Sequence, residues 1–262
     1  MRDIKNKLTS SKNSTNIQSR RGKSFGYQVL GFGAGGRTVT PFIIATGGTI
    51  TTSGDFKIHT FTGPGTFCVE NEGNACGSTA VDYLVVAGGG SGAGKGCGGG
   101  IGGGGAGGIR IGTISQPSPV APAPRVAPGH EVAAQGYSIE VGGGGATNLS
   151  CGNSGGASGS NSSFSSFTAA GGGGGSTAGR TATSGGSGGG GGEASGTGGA
   201  GNTPSTSPSQ GEPGGTGNSS NSGAGGGGAT DAGDSTPPTS PNPLGAGGDG
   251  INAGPIFGTA NG

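Results

Sequence analysis

The sequence predicts an all-β protein: a small antiparallel β-sheet or sandwich head followed by glycine-rich loops, with packed polyglycine-type helices as their ordered form and no significant α-helix. Three observations predict it. The first is composition: 73 of the 262 residues are glycine and 15 are proline, while 5 Leu, 13 Ile, 10 Val and 9 Phe make 37 strong core formers. So few apolar side chains cannot offset the entropy of ordering a chain this long around a conventional core. Either the chain is disordered or backbone hydrogen bonds hold it. The second is period: apolar and polar residues alternate in short stretches, and no segment of useful length has helical spacing. The third is placement, because the glycine runs begin where short strands end, after Val86, Val141 and Thr168.

Taken in order, residues 1–23 form a basic N-terminal arm, with Arg2, Lys5, Lys7, Lys12, Arg20, Arg21 and Lys23 against Asp3. Such an arm suits a chain anchored at one end or a solvated tail. Residues 24–46 contain the most apolar patch of the first forty, and Phe25, Tyr27, Leu30 and Phe32 are its candidate docking anchors. Aromatic anchors fit a partner's pocket; a strand covering the edge of the next domain is the alternative reading.

Residues 47–114 are the β-rich head running into the first glycine tract. Strands are expected at Thr49–Thr52, Phe56–Phe61, Thr66–Val69 and Val81–Ala87, separated by the turns Ser53-Gly54-Asp55 and Gly63-Pro64-Gly65. The stretch Val81–Ala87 is nearly all apolar, as in a strand covered on both faces. Between Gly88 and Gly108 only Ser91, Ala93, Lys95, Cys97, Ile101 and Ala106 are not glycine, after which Ile109–Ile114 returns to strand character. Residues 115–136 hold five prolines between Pro117 and Pro128 and read as an extended loop. Residues 137–200 repeat the pattern of strand then glycine run, with Tyr137–Val141 before Gly142–Gly145 and Asn161–Thr168 before Gly171–Gly175. Residues 201–262 are rich in Ser, Pro, Asn and Gly and read as a flexible or loosely ordered tail, pinned at most by Ile251, Ile256 and Phe257.

The runs themselves can adopt the left-handed helix of three residues per turn, which has no internal hydrogen bonds and turns every N–H and C=O outward to neighbours. A strict G-X-Y period is absent, which excludes collagen but not a bundle of such helices joined by loops. A rigid scaffold with variable loops is a binding architecture.

Enzymatic chemistry finds no foothold. Gly89–Lys95 meets half of a phosphate-loop pattern, but Gly96 stands where Ser or Thr must bind magnesium and no helix follows. His59 alternates on a strand and reads as solvent-facing, and neither it nor His130 joins a catalytic constellation. Cys68, Cys76, Cys97 and Cys151 match no zinc spacing; Cys68 and Cys76 span a short loop, with free thiols the expected state. No catalytic, cofactor-binding or metal site is expected. The glycine tracts lack interleaved Arg and aromatics, so nucleic acid is open only to the basic arm. No stretch is apolar enough to span a membrane, and no secretory signal is visible near the start.

The succession Gly47–Thr62, Gly65–Val69 and Val81–Gly90, continued by Gly102–Arg110, Tyr137–Gly145 and Asn161–Gly175, resembles the glycine-rich domain of tailed-bacteriophage virion proteins, of tail-fibre or adhesin type. The resemblance covers roughly residues 46–195, and the strand-to-glycine junction at 81–90 carries it most specifically. It implies a surface-exposed fibre or adhesin-like virion component that attaches to the host surface. Its partners would be other virion proteins of capsid or tail and a host cell-surface glycan or outer-membrane protein, and a homo-oligomer such as a trimer fits fibre-like proteins. Alternatives are a capsid decoration or head-fibre protein without receptor specificity, and a cellular glycine-rich wall or matrix protein.

Overall fold

The computed structural model describes residues 41–94, 99–114, 125–147, 154–218, 221–237 and 245–253. Phe25, Tyr27, Leu30 and Phe32 lie outside them, as do Cys97 and Cys151. The described chain is all-β, with no helix among the described residues. Its strands are β1 (Ile43–Thr46), β2 (Thr49–Ser53), β3 (Phe56–Thr60), β4 (Gly65–Glu72), β5 (Ala80–Val81), β6 (Tyr83–Val86), β7 (Ile109–Thr113), β8 (Val126–Pro128), β9 (His130–Glu131), β10 (Gly136–Glu140), β11 (Ser162–Phe164) and β12 (Phe167–Ala169).

The strands expected at 49–52, 56–61, 66–69 and 81–87 do not make one sheet of their own. β4 is built into a five-stranded sheet of order β1-β4-β10-β11-β12, so strands from 136–169 complete the head. β6 sits in a second sheet, β6-β7-β8, and β2 and β3 form a two-stranded sheet among the described residues. The pairing β7–β8 is parallel, Ile111 standing opposite Val126; the other pairings are antiparallel. Alternation supplies the core. β4 turns Phe67 and Val69 inward, β10 turns Tyr137 and Ile139 inward, and β6 turns Tyr83 and Val85 inward. These close with Phe164, Val132 and the small side chains of Ala45, Ala87 and Ala169 into one cluster. β6 is not covered on both faces as its apolar run suggests: Leu84 and Val86 remain 39% and 53% exposed. His59 is not solvent-facing either. Its Nδ1 pairs with the Gly47 carbonyl at 2.8 Å, and its ring meets the Phe67 ring edge-on at 5.1 Å, tying the β2–β3 hairpin to the sheet. Cys68 and Cys76 are free and exposed.

Beyond the sheets the chain runs in extended segments that bond to one another and not to themselves. The amides of Ala87, Gly90 and Ala93 donate to the carbonyls of Gly108, Gly105 and Gly102. Gly172 and Gly175 donate to Gly88 and Ser91, while Gly173 and Ser176 donate to Ser187 and Gly190. Each face of a segment therefore serves a different neighbour at a three-residue interval, the arrangement expected of packed polyglycine-type helices. The glycines are needed for approach more than for unusual torsion angles. Positive φ occurs at Gly47, Gly48, Gly54, Gly73 and Gly179, outside the segment interiors. Within them, a β-carbon on Gly90 would collide with the Gly173 carbonyl, one on Gly173 with the Thr183 carbonyl, and one on Gly102 with the Gly190 carbonyl.

This bundle overturns the reading of 201–262 as a loose tail over its described part. Gly188 and Gly191 donate to Glu212 and Gly215, Gly103 and Ala106 donate to Ala224 and Gly227, and Gly225 donates to Asp234. Gln210, Ser187 and Ser222 are fully buried. Polar composition does not prevent order here, because the interior is made of peptide groups that satisfy one another.

Candidate functional site

Direction of travel defines the site. Segment 87–94 leaves β6 and 99–108 returns to β7; 142–147 leaves β10 and 154–161 returns to β11; 170–177 leaves β12. Outgoing segments lie parallel, as Gly172→Gly88 and Gly188→Glu212 require, and returning segments lie parallel too, as Gly103→Ala224 requires. The described reversals remote from the sheets, at 178–180 and 193–196, therefore lie at one end of the bundle.

The described residues of that end are held by a few bonds. Glu193 is the knot: its amide donates to the Gly100 carbonyl at 2.9 Å, its Oε2 accepts the Gly100 amide at 3.1 Å, and its carbonyl accepts the Gly179 amide at 2.8 Å. Ser176 Oγ donates to the Arg180 carbonyl and accepts the Gly192 amide, closing the turn at 178–180. The amide of Ser195 donates to the Asn218 carbonyl, and the Asn218 side-chain amide donates to the Pro237 carbonyl at 2.6 Å. Gly94 donates to Ser154. Ala194, Ser195 and Asn221 adopt positive φ of 53°, 61° and 54°, a left-handed backbone that side-chain-bearing residues take up only when their surroundings fix it. Arg180, Ala194 and Ser195 are exposed there. Among its described residues the end offers one guanidinium, one carboxylate already engaged, and hydroxyl and amide groups on a fixed backbone, with no nucleophile–base pair.

The opposite end is joined to the sheets by one buried device and one half-buried one. Gln210 accepts the Ala170 amide at Oε1 (2.7 Å) and donates from Nε2 to the Pro204 carbonyl (2.8 Å), while its own carbonyl accepts the Ile109 amide. Arg125, beside β8, pairs with the Glu212 carboxylate and reaches the Ser209 carbonyl. Neither Gln210 nor Arg125 stands out in the sequence: Gln210 is one more polar residue after a run of Ser, Thr and Pro, and Arg125 is a single cation among Pro, Ala and Val. His130 sits apart from His59, against Tyr137, Phe164 and Phe167. Among the described residues no group of three His, Cys, Asp or Glu side chains converges as a metal site would.

A family model described as a glycine-rich domain matches residues 62–262, most of the chain. The chain belongs to the glycine-rich domain family. No curated protein and no solved structure matches it. The match reaches the last residue, well past residue 195, in accord with the incorporation of residues beyond 200 into the bundle. The glycine-rich domain thus includes β4 to β12 and all the extended segments, and β1 to β3 precede it.

Proposed function

We propose that this glycine-rich domain protein is a structural component of a tailed-bacteriophage virion, exposed at the particle surface and engaged in host-surface attachment. The observation that carries the reading is the convergence of the outer turns on one end of a bundle whose interior depends on few side chains. Turn residues such as Arg180, Ala194 and Ser195 can then vary without disturbing the hydrogen bonds that position them. The resemblance of the strand-to-glycine junction at 81–90 to virion proteins of fibre or adhesin type supports the particle context. In this reading residues 1–46 dock the chain to other virion proteins through Phe25, Tyr27, Leu30 and Phe32, and the outer turns meet a host glycan or outer-membrane protein.

The test separates docking from attachment. Deleting residues 1–32 leaves soluble protein that no longer joins particles; normal incorporation of the deletion would remove the docking claim. Exchanging the exposed turn residues Arg180, Ala194 and Ser195, with Glu193 kept, leaves particles intact and abolishes adsorption to host cells. Unchanged adsorption would leave a capsid decoration or head-fibre protein as the better reading.

A further inference from the structure

Residues 125–133 form a strap across the head. Beyond the Arg125 pair, β8 lies along β7, the Gly129 amide donates to the Thr113 carbonyl at 2.7 Å, β9 pairs with β5, and the Val132 amide donates to the Thr79 carbonyl at 2.9 Å. The Ala133 amide donates to the Tyr137 hydroxyl at 2.8 Å. Mid-strap, the His130 ring stands edge-on to Tyr137, Phe164 and Phe167 at centroid distances of 5.7, 5.6 and 5.0 Å. Its Nε2 is fully buried and has no hydrogen-bond partner among the described residues.

We propose that His130 is an acid-operated catch: the neutral ring locks the strap into the aromatic core, and the protonated ring leaves that core and frees β9 from β5. Protonation places an N–H at a buried position walled by ring carbon, where no acceptor waits among the described residues. Burial accordingly holds the imidazole below its ordinary range. The titratable groups on the surrounding elements do not supply a counter-charge. On β6 the Tyr83 hydroxyl is itself buried without a partner, pushed up by burial and drawn the other way by Arg110 of β7. On β10 the Tyr137 hydroxyl is engaged with Ala133. β11 and β12 present Phe164 and Phe167. Glu131, next along β9, alternates to the exposed side, and Asp82, between β5 and β6, accepts the Ile114 amide. Opposing these is the attraction of aromatic quadrupoles for an imidazolium, which the experiment weighs against burial.

A folded state that favours the neutral ring binds fewer protons than the unfolded chain below the ordinary histidine pKa of roughly 6.5, so the catch is fully set above that pH and its contribution falls away as pH drops through and below it. The test uses the full chain. The His130 ring resonances are titrated by NMR, and hydrogen exchange of the Val132 amide is followed between about pH 7.5 and about pH 5, normalised to intrinsic rates, in wild type and His130→Phe. The expected result is titration below the unperturbed histidine value and several-fold more frequent opening at Val132 in acid, lost in His130→Phe. Titration at or above that value, or equal acid sensitivity in His130→Phe (which keeps His59), overturns the catch. The wild-type titration decides alone where the variant folds poorly.

Discussion

At the residue scale the structure separates glycines that are obligatory from glycines that are merely present. Gly173 lies where three segments meet, and any β-carbon there strikes backbone that cannot swing aside. Gly143 lies on the outer segment 142–147, where an added methyl group would meet nothing within 4 Å, and its φ is not positive. Gly173→Ala is therefore expected to cost about 3 kcal/mol or more, as forced overpacking does. Gly143→Ala is expected to be neutral or to stabilise by about 0.5 kcal/mol, because alanine narrows the unfolded ensemble without meeting an obstacle. Denaturant midpoints of the two variants measure the difference. Equal effects would mean that close approach is not what the glycines supply.

At the element scale the strands show how much the sequence discloses. The alternation in Tyr137–Val141 is visible beforehand because Tyr137 and Ile139 fall on one face of a pleat and Ser138 and Glu140 on the other. β8 and β9 are hidden among the prolines of 115–136, since Pro128 closes β8 at a sheet edge, where its missing N–H does no harm. The segments beyond residue 200 are hidden for another reason. A polyglycine-type helix demands only that no side chain stand where two segments touch, and Gly, Ala and Ser all read as loop. The spacing of the runs marks where the chain must turn, whereas Glu193, which knots the described outer turns, is a single acid that no pattern marks. Gln210 is a similar case. Its side chain joins the end of β12 to the 203–209 turn, and Gln210→Ala leaves the Ala170 amide and Pro204 carbonyl without their buried partner. A loss of about 1–3 kcal/mol is expected in thermal or denaturant unfolding; a change within experimental error would show that water replaces the amide freely.

At the scale of the whole molecule, sheets and bundle are one construction. β4 finds its neighbours in β1 and β10, and β10 pairs with β11, so the five-stranded sheet closes only after residue 169 is in place. The segments at 210–218 and 222–228 then cap 187–193 and 99–108, which would otherwise bare rows of amides and carbonyls. Truncation after residue 200 is therefore expected to give a chain that melts without a single sharp transition and is cut rapidly by protease within 99–108 and 187–193. A truncated form as resistant as the full chain would restore the reading of 201–262 as a loosely ordered tail. Pairings so distant in sequence also predict slow folding, since long loops must close before their contacts form.

The filling of the bundle with peptide groups in place of side chains has a calorimetric consequence. Exposing apolar surface raises heat capacity on unfolding, and exposing polar surface lowers it. An interior built of amides and carbonyls releases mostly the second kind. The heat-capacity increment of this protein should fall below the usual value of about 12–15 cal/mol/K per residue. Its stability should then vary little with temperature, so that cold weakens it less than it weakens a protein packed with leucine and valine.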